Sequence, residues 1–389
     1  MGTLERQKTN TPDIRLVTSD KTWIEGAALQ QLEKTSTLAG IELAVGFPDL
    51  HPGKGFPVGA AFVSRDIFYP ALAGNDIGCG MAFWQTDQLA RKVKLDRLSR
   101  KLSHLDLPLS GAGGQGERKR WLEDCGVTAG DFDTGLGTIG GGNHFAELQQ
   151  VHKVCNAEKF AKLGLDKKRC GLLVHSGSRA LGQVVWSDLM TRHGYNGLEA
   201  NSAGAETYLA AHNHAVAWAS ANRSLIAKRF CDQAGFDIER ISDNCHNSVK
   251  VENVHGSDRF IHRKGAATAR DGALMIPGSR GTLSYLVMPV GEQDDTAWSL
   301  AHGAGRRWQR GEVKPRLSHK YSVSDLERTD FGGRVICEDR DLLYEEAPQS
   351  YKEIGQVITD LSDAGLIEVI AVYKPMITFK CRRYENDER

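Results

Sequence analysis

The sequence predicts an α+β fold, mixed sheets flanked by helices, in a single catalytic domain spanning residues 1–389. Three observations lead there. Short apolar runs bounded by Gly and Pro recur along the chain, as strands do. A long helix is expected over 206–231, where Ala211, Ala215, Trp218 and Asn222 fall at helical spacing. Candidate site residues are scattered from position 49 to 380. Length alone would allow two or three domains, but if those residues converge the chain is one interleaved unit.

Taken in order, residues 42–45 read as a short strand entering the loop 47–55. A second strand is expected over 58–63, and the tight Gly-rich segment 73–81 leads into a strand at 82–85. Residues 110–120, Gly-rich and then basic, read equally as a solvated surface loop or a mobile phosphate-contacting lid. Near the C-terminus Ile354, Val357, Ile358 and Leu361 follow i, i+3, i+4, i+7. Gly365 ends that helix, and two strands broken by Pro375 follow.

Composition narrows the compartment more than the function. Lys plus Arg and Asp plus Glu number 49 each, so a nucleic-acid partner would have to be held by local patches. The eight cysteines include no CxxC pair, which fits free thiols in a reducing, cytoplasmic setting. The N-terminal residues Met1 to Arg6 lack an apolar h-region, so no secretory signal is expected. No membrane span is expected either, since the apolar run 366–373 is only strand-sized and carries Glu368.

The chemistry-bearing residues sit in distinctive settings. His302 lies in Ala301-His302-Gly303-Ala304-Gly305-Arg306, where the glycines let a bulky group approach the backbone. Asp76 and Cys79 lie three apart in a glycine-rich bend able to aim both at one cation, although a lone buried cysteine is more often a small hydrophobe. His144 follows Gly140-Gly141-Gly142-Asn143, with Asn143 and Glu147 as directional hydrogen-bond groups. His175 ends an apolar run before Ser176-Gly177-Ser178-Arg179, where a catalytic group or a capping histidine is equally at home. His246 is similar, and its neighbour Asn247 reads a base edge or merely closes a turn. A cluster of metal ligands beside a separate imidazole suggests metal-assisted transfer with histidine as nucleophile, of phosphoryl or nucleotidyl groups more than simple hydrolysis. Eight other histidines (104, 152, 193, 212, 214, 255, 262 and 319) have no such setting and receive no role.

Basic residues gather at Arg263-Lys264 to Arg270 with Arg280, and at Arg306, Arg307 and Arg310. A solvated charged face is the usual fate of such runs. Interleaving with Gly, Ser and His302 argues instead for phosphate binding, with Arg263, Lys264, Arg306 and Arg310 as local patches.

These segments carry a resemblance. Pro48-Asp49-Leu50-His51-x-Gly53-Lys54-Gly55, Asp76-Ile77-Gly78-Cys79-Gly80-Met81, Gly142-Asn143-His144-Phe145, His175-Ser176-Gly177-Ser178-Arg179, His246-Asn247, Arg263-Lys264-Gly265-Ala266, Pro277-Gly278-Ser279 and His302-Gly303-Ala304-Gly305-Arg306 stand in the order seen in the RtcB family of RNA ligases. The resemblance covers residues 41 to 380, and eight ordered motifs make chance similarity very small. Trp23-Ile24-Glu25-Gly26, residues 51–57, Gly74-Asn75-Asp76 and the single histidine of Cys245-His246-Asn247 look closest to the type coupled to release factor H.

The resemblance implies an enzyme that joins an RNA 3′-phosphate or 2′,3′-cyclic phosphate to a 5′-hydroxyl end with GTP and manganese. It implies that His302 attacks the α-phosphate of GTP and holds GMP. Asp76, Cys79, His144, His175 and His246 are implied to bind two Mn2+ ions, with Cys79 shared. Asn143, His144, Phe145, Ala146, Glu147, His246, Asn247, Pro277, Gly278, Ser279, Arg280, Ser284, His302, Gly303, Ala304, Gly305 and Lys380 are implied to line the guanylate pocket. Arg179 and Arg306 are expected to face the RNA phosphate. The type it looks closest to implies repair of damaged ribosomal RNA, with the ribosome or a release-factor-H-like protein as partner. One cysteine and three histidines favour zinc by intrinsic affinity, so manganese rests on the family and on metal availability. Asn75 and Cys245 depart from the usual pattern, and the nine residues 381–389 are expected to form an exposed tail beyond Lys380.

Overall fold

A computed structural model of the chain describes residues 3–7, 13–254 and 256–381. Two large sheets dominate it. One has six strands in the order Thr3–Gln7, Asp13–Thr18, Ile41–His51, Val58–Ser64, Ser257–Lys264 and Asn247–Val254. The other runs Ile238–Cys245, Gly80–Leu89, Arg169–Ser176, Phe145–Val154, Ile367–Cys381, Ser284–Pro289 and Leu274–Pro277, with Arg334–Cys337 pairing in parallel with the far half of Ile367–Cys381. The α+β expectation, with sheets flanked by helices, is met.

The eight-stranded sheet curls until its edge strands approach one another. Leu173, Phe83, Met275, Leu286 and Ile370 fill its inside. Leu172 and Val174 alternate to the outside and meet Ile226, Phe230 and Cys231 of the helix Ala203–Ala234. Burial on both faces is why this strand reads as an unbroken apolar run. The two sheets share a core in which Val45, Phe47, Ala61 and Ile261 meet Leu274, Ile276, Val287 and Ile367. Val357, Ile358 and Leu361 of the helix Ile354–Asp363 close that core, as their spacing predicts.

The helix Ala203–Ala234 begins where the Ser202 side chain accepts from the Ala205 amide and ends at left-handed Gly235. It braces the site from behind. Asn222 accepts from the Gly137 amide at 2.7 Å and donates to the Ser176 hydroxyl and Gly177 carbonyl, both at 3.2 Å. Arg223 is fully buried, pairs with Asp243 at 2.7 Å, and donates to the Gly78 carbonyl at 2.8 Å and the Ser176 carbonyl at 3.0 Å.

Four expectations change. Residues 110–120 are not an open loop, because 111–120 fall in the helix Gly111–Asp124 with Ser110 at its N-cap. Leu122 buries against Leu225, and the Trp121 indole donates to the Ala221 carbonyl at 3.0 Å, so tertiary contact outweighs the low helix propensity of four glycines. The strand from Ile41 continues to His51 through a register shift after Gly46, so Pro48 sits where the ladder is interrupted and no amide donor is needed. Ile367–Cys381 is one strand, with a bulge between Pro375 and Ile377 in place of a break. Cys381 ends that strand instead of beginning a tail, and the expected tail over 382–389 lies outside the described residues.

Candidate active site

Strand ends and loops from both sheets bring five of the six singled-out groups into direct contact. Asp76 and Cys79 sit on the turn before Gly80–Leu89. His175 is next to last in its strand, and His144 immediately precedes Phe145–Val154. His246 lies between two strands at the junction of the sheets. The Cys79 Sγ is 3.3 Å from His144 Nε2 and 3.1 Å from His175 Nε2. His175 Nε2 is 3.3 Å from His246 Nε2, and His144 Nε2 is 2.9 Å from the Asp76 carboxylate. A Cβ on Gly177 would lie 2.1 Å from Asp76 Oδ1, so a side chain there would displace the Asp76 carboxylate.

Burial sets the electrostatics of this cluster. It holds His175 and His246 well below the ordinary imidazole range, reinforced by neighbouring histidines, so both are neutral with a lone pair to donate. Burial raises the Cys79 thiol well above its usual value, and Asp76 pushes the same way while Arg223 opposes. Burial would also raise Asp76, but His144 overcomes it and keeps the carboxylate ionised. Neutral imidazoles, an ionised carboxylate and a buried thiol converging within hydrogen-bond distance suit a cation, which would favour the thiolate over the thiol. Among the described residues, the ligand atoms of Cys79, His144 and His175 all lie within 4.8 Å of one another. The His144 Nδ1 has no protein partner.

His302 stands at the edge of this cluster, its ring centroid 4.7 Å from that of His246. It follows the short strand Ser299–Ala301, which pairs with Ala266–Thr268. The His302 Nδ1 is 2.7 Å from Oδ2 of Asp49, a carboxylate with no solvent exposure, and the His302 amide donates to the same oxygen at 3.3 Å. Gly305 has φ of 71°, and a Cβ there would lie 2.2 Å from the Asp49 carbonyl. That glycine therefore serves the close packing of the His302 loop against the strand that carries Asp49.

A cleft of about 540 Å³ opens beside these groups. Asn143, Phe145, Glu147 and Ser284 line it, as do 277–280, 302–306 and Lys380. Alternation along the strand from Phe145 turns Ala146 the other way, into the core with Ala82 and Trp84. Asn247 is not on the cleft wall; its amide accepts from Gly265 N at 2.8 Å and donates to the Asp76 carbonyl at 3.1 Å. These contacts tie the Gly265 and Asp76 segments together, a long-range link and not the local turn closure expected. Arg179, at φ 56°, approaches the Thr138 hydroxyl at 3.4 Å behind the Gly140 loop. Arg263 is fully buried against Ser299 and Glu252, so it forms no surface patch. His212 and His262 are satisfied core residues, accepting from the Val249 and Tyr69 amides.

Burial raises Glu147 to about 7, while Thr378 and Gln149 hydrogen-bond its carboxyl. Lys380 is lowered by burial, with Glu346 opposing. Buried Glu346 takes cations from three directions: Arg306 at 3.1 Å, Arg310 at 3.5 Å and Lys380 at 3.6 Å. The Ser279 Oγ and the Arg280 Nη1 are buried without a protein partner, as groups awaiting a ligand are. Sequence reasoning assigned no role to Asp49 or Glu346. A carboxylate inside the apolar stretch from Phe47 to Leu50 was the available signal for Asp49. Glu346 lies in a local sequence with no comparable mark.

Cys79, His144 and His175 could hold a metal ion, and they lie beside a carboxylate-anchored histidine at the mouth of a polar cleft. Comparison with known proteins supplies the class. The family model described as tRNA-splicing ligase RtcB matches residues 31–126 and 127–381. The chain is 46% identical over 367 residues to the RNA-splicing ligase RtcB2 of Escherichia coli, covering 94% of each chain. It is 28% identical over 440 aligned positions to the tRNA-splicing ligase RtcB of Archaeoglobus fulgidus, covering 91% of each. The chain belongs to the RtcB family of RNA ligases. Among the described residues no helix is long and apolar enough to cross a membrane.

Proposed function

We propose that this ligase joins RNA ends bearing a 3′-phosphate or 2′,3′-cyclic phosphate to 5′-hydroxyl ends, using GTP and manganese, with residues 1–389 acting as one cytoplasmic catalytic unit. The observation that carries the reading is the Asp49–His302 contact at the edge of the ligand cluster. With Nδ1–H donated to a buried carboxylate, the lone pair of His302 resides on Nε2, the tautomer a nucleophile needs. His302 Nε2 attacks the α-phosphorus of GTP and pyrophosphate departs. A cyclic phosphate is first opened by water to a 3′-phosphate; the 3′-phosphate then takes GMP from His302, which gives that end a leaving group, and the 5′-hydroxyl displaces GMP. Asp76, Cys79, His144, His175 and His246 would hold two cations, which when bound stabilise charge on entering and leaving oxygens.

Glu147 and Lys380 offer an acceptor and a donor for the purine edge, and Ser279 and Arg280 bring unpartnered donors to the same cleft. Arg306 and Arg179 are assigned to the RNA phosphate. The test is incubation with α-labelled GTP, manganese and RNA halves of defined ends. Label on the wild type, absent from His302→Ala with bound metal unchanged, supports the reading. A wild type that joins RNA without taking label overturns the histidine intermediate.

The resemblance to ligases coupled to a release-factor-H-like protein extends the proposal to ribosomal RNA cut by a metal-independent ribonuclease. Neutral net charge fits such a partner, since long-range attraction to naked RNA is weak. Nicked ribosomal RNA should then be joined faster than a nicked tRNA anticodon loop, most of all with the partner present. Equal or faster joining of the tRNA, unaffected by the partner, would make the enzyme a general RNA ligase.

A further inference from the structure

A second cavity of about 720 Å³ lies against the first, and both are lined by Glu25, Arg307, Trp308, Gln309 and Tyr351. Its walls are unlike those of the reaction cleft. Trp23 is 52% exposed, unusual for so large an apolar side chain, and forms one wall. Trp308 forms another, with the Arg316 guanidinium 5.1 Å and the Arg307 guanidinium 5.8 Å from its ring centre. The Lys352 ammonium lies 6.0 Å from the Trp23 ring.

Lys21, Arg307, Arg316 and Lys352 face Glu25, Glu312 and Glu353 around the cavity, leaving one net positive charge. Glu312 is already paired with Arg316 at 3.1 Å. Aromatic faces interleaved with cations are what unpaired bases and their phosphates bind, because every base has a stacking face and every linkage a charge. Two tryptophans in a groove that opens into the reaction cleft can follow a strand leaving it.

Resting on the ligase reading above, we propose that this groove binds the unpaired nucleotides next to the joining end, with bases stacked on Trp23 and Trp308 and phosphates beside Arg307 and Arg316. The enzyme therefore prefers ends that continue as single strand over ends buried in duplex. A protein partner is the competing occupant of an exposed tryptophan. The groove's continuity with the reaction cleft favours RNA.

The test is fluorescence anisotropy with a labelled single-stranded RNA hexamer carrying a 3′-phosphate. Trp23→Ala should weaken hexamer binding about ten-fold, the low end of base stacking, while Trp23→Phe stays near wild type and neither shifts the melting temperature. A 3′-phosphorylated dinucleotide, confined to the cleft, should bind wild type and Trp23→Ala alike. Arg316→Ala should reduce the slope of log affinity against log salt by about 0.7. Equal hexamer affinity in wild type and Trp23→Ala overturns the proposal and leaves this face to a protein. A wild type that takes no GMP and joins nothing defeats the ligase reading instead, while the hexamer comparison still decides the groove.

Discussion

Asp49 and His302 are 253 positions apart in the chain, yet a buried Asp49 oxygen sits 2.7 Å from one ring nitrogen of His302 and 3.3 Å from its amide. One carboxylate thus sets the tautomer, the ring orientation and the loop of the proposed nucleophile. Asp49→Asn keeps the shape but no longer favours Nδ1–H. Label transfer from GTP should slow by about a hundred-fold or more, by analogy with triads that lose their orienting carboxylate, with bound metal unchanged. An adduct rate within a few-fold of wild type would remove Asp49 from the mechanism.

Cys79 lies between His144 and His175, close enough for all three to hold one ion. Cys79→Ala should lose bound metal together with guanylylation and joining, since the remaining groups lose their central ligand. Elemental analysis of the purified variant checks this. Normal metal stoichiometry would show that Cys79 is only a packed thiol.

Arg223 is the buried support of the ligand turn, tied to Asp243 and to the carbonyls of Gly78 and Ser176. Asp243→Asn strips its counter-charge and should cost about 3–5 kcal/mol of stability, the usual result of leaving a buried charge unpaired. Urea unfolding at constant metal content measures it. A loss below about 1 kcal/mol, typical of an exposed pair, would show that water reaches Arg223.

Glu147 supplies a pH dependence with a definite sign. Its folded value is raised from 4.5 to about 7 by burial, so the folded protein holds that proton where the unfolded chain has released it. The resulting stability is fully present below about 4.5 and is lost as pH rises through about 7, amounting to roughly 3 kcal/mol over that window. Glu147→Gln should flatten this part of the stability profile in the absence of GTP. If the variant keeps the wild-type slope between those limits, another group is responsible.

The amino-acid order by itself pointed to the candidate site residues and to the helices Ala203–Ala234 and Ile354–Asp363. Glycine-flanked histidines, the Asp76–Cys79 bend and the spacing of Ile354, Val357, Ile358 and Leu361 are local patterns, readable because each acts within a few residues. Tertiary structure alone decided what those residues face. It turned Ala146 into the core between two cleft residues, committed the Asn247 amide to Gly265 and Asp76, and buried Arg263 against Glu252. It also made a helix of glycine-rich 111–124, through the burial of Leu122 against Leu225. Charge pairing and desolvation depend on groups hundreds of positions apart. The Asp49–His302 contact and the Glu346 hub of Arg306, Arg310 and Lys380 therefore exist only once the two sheets have closed on each other.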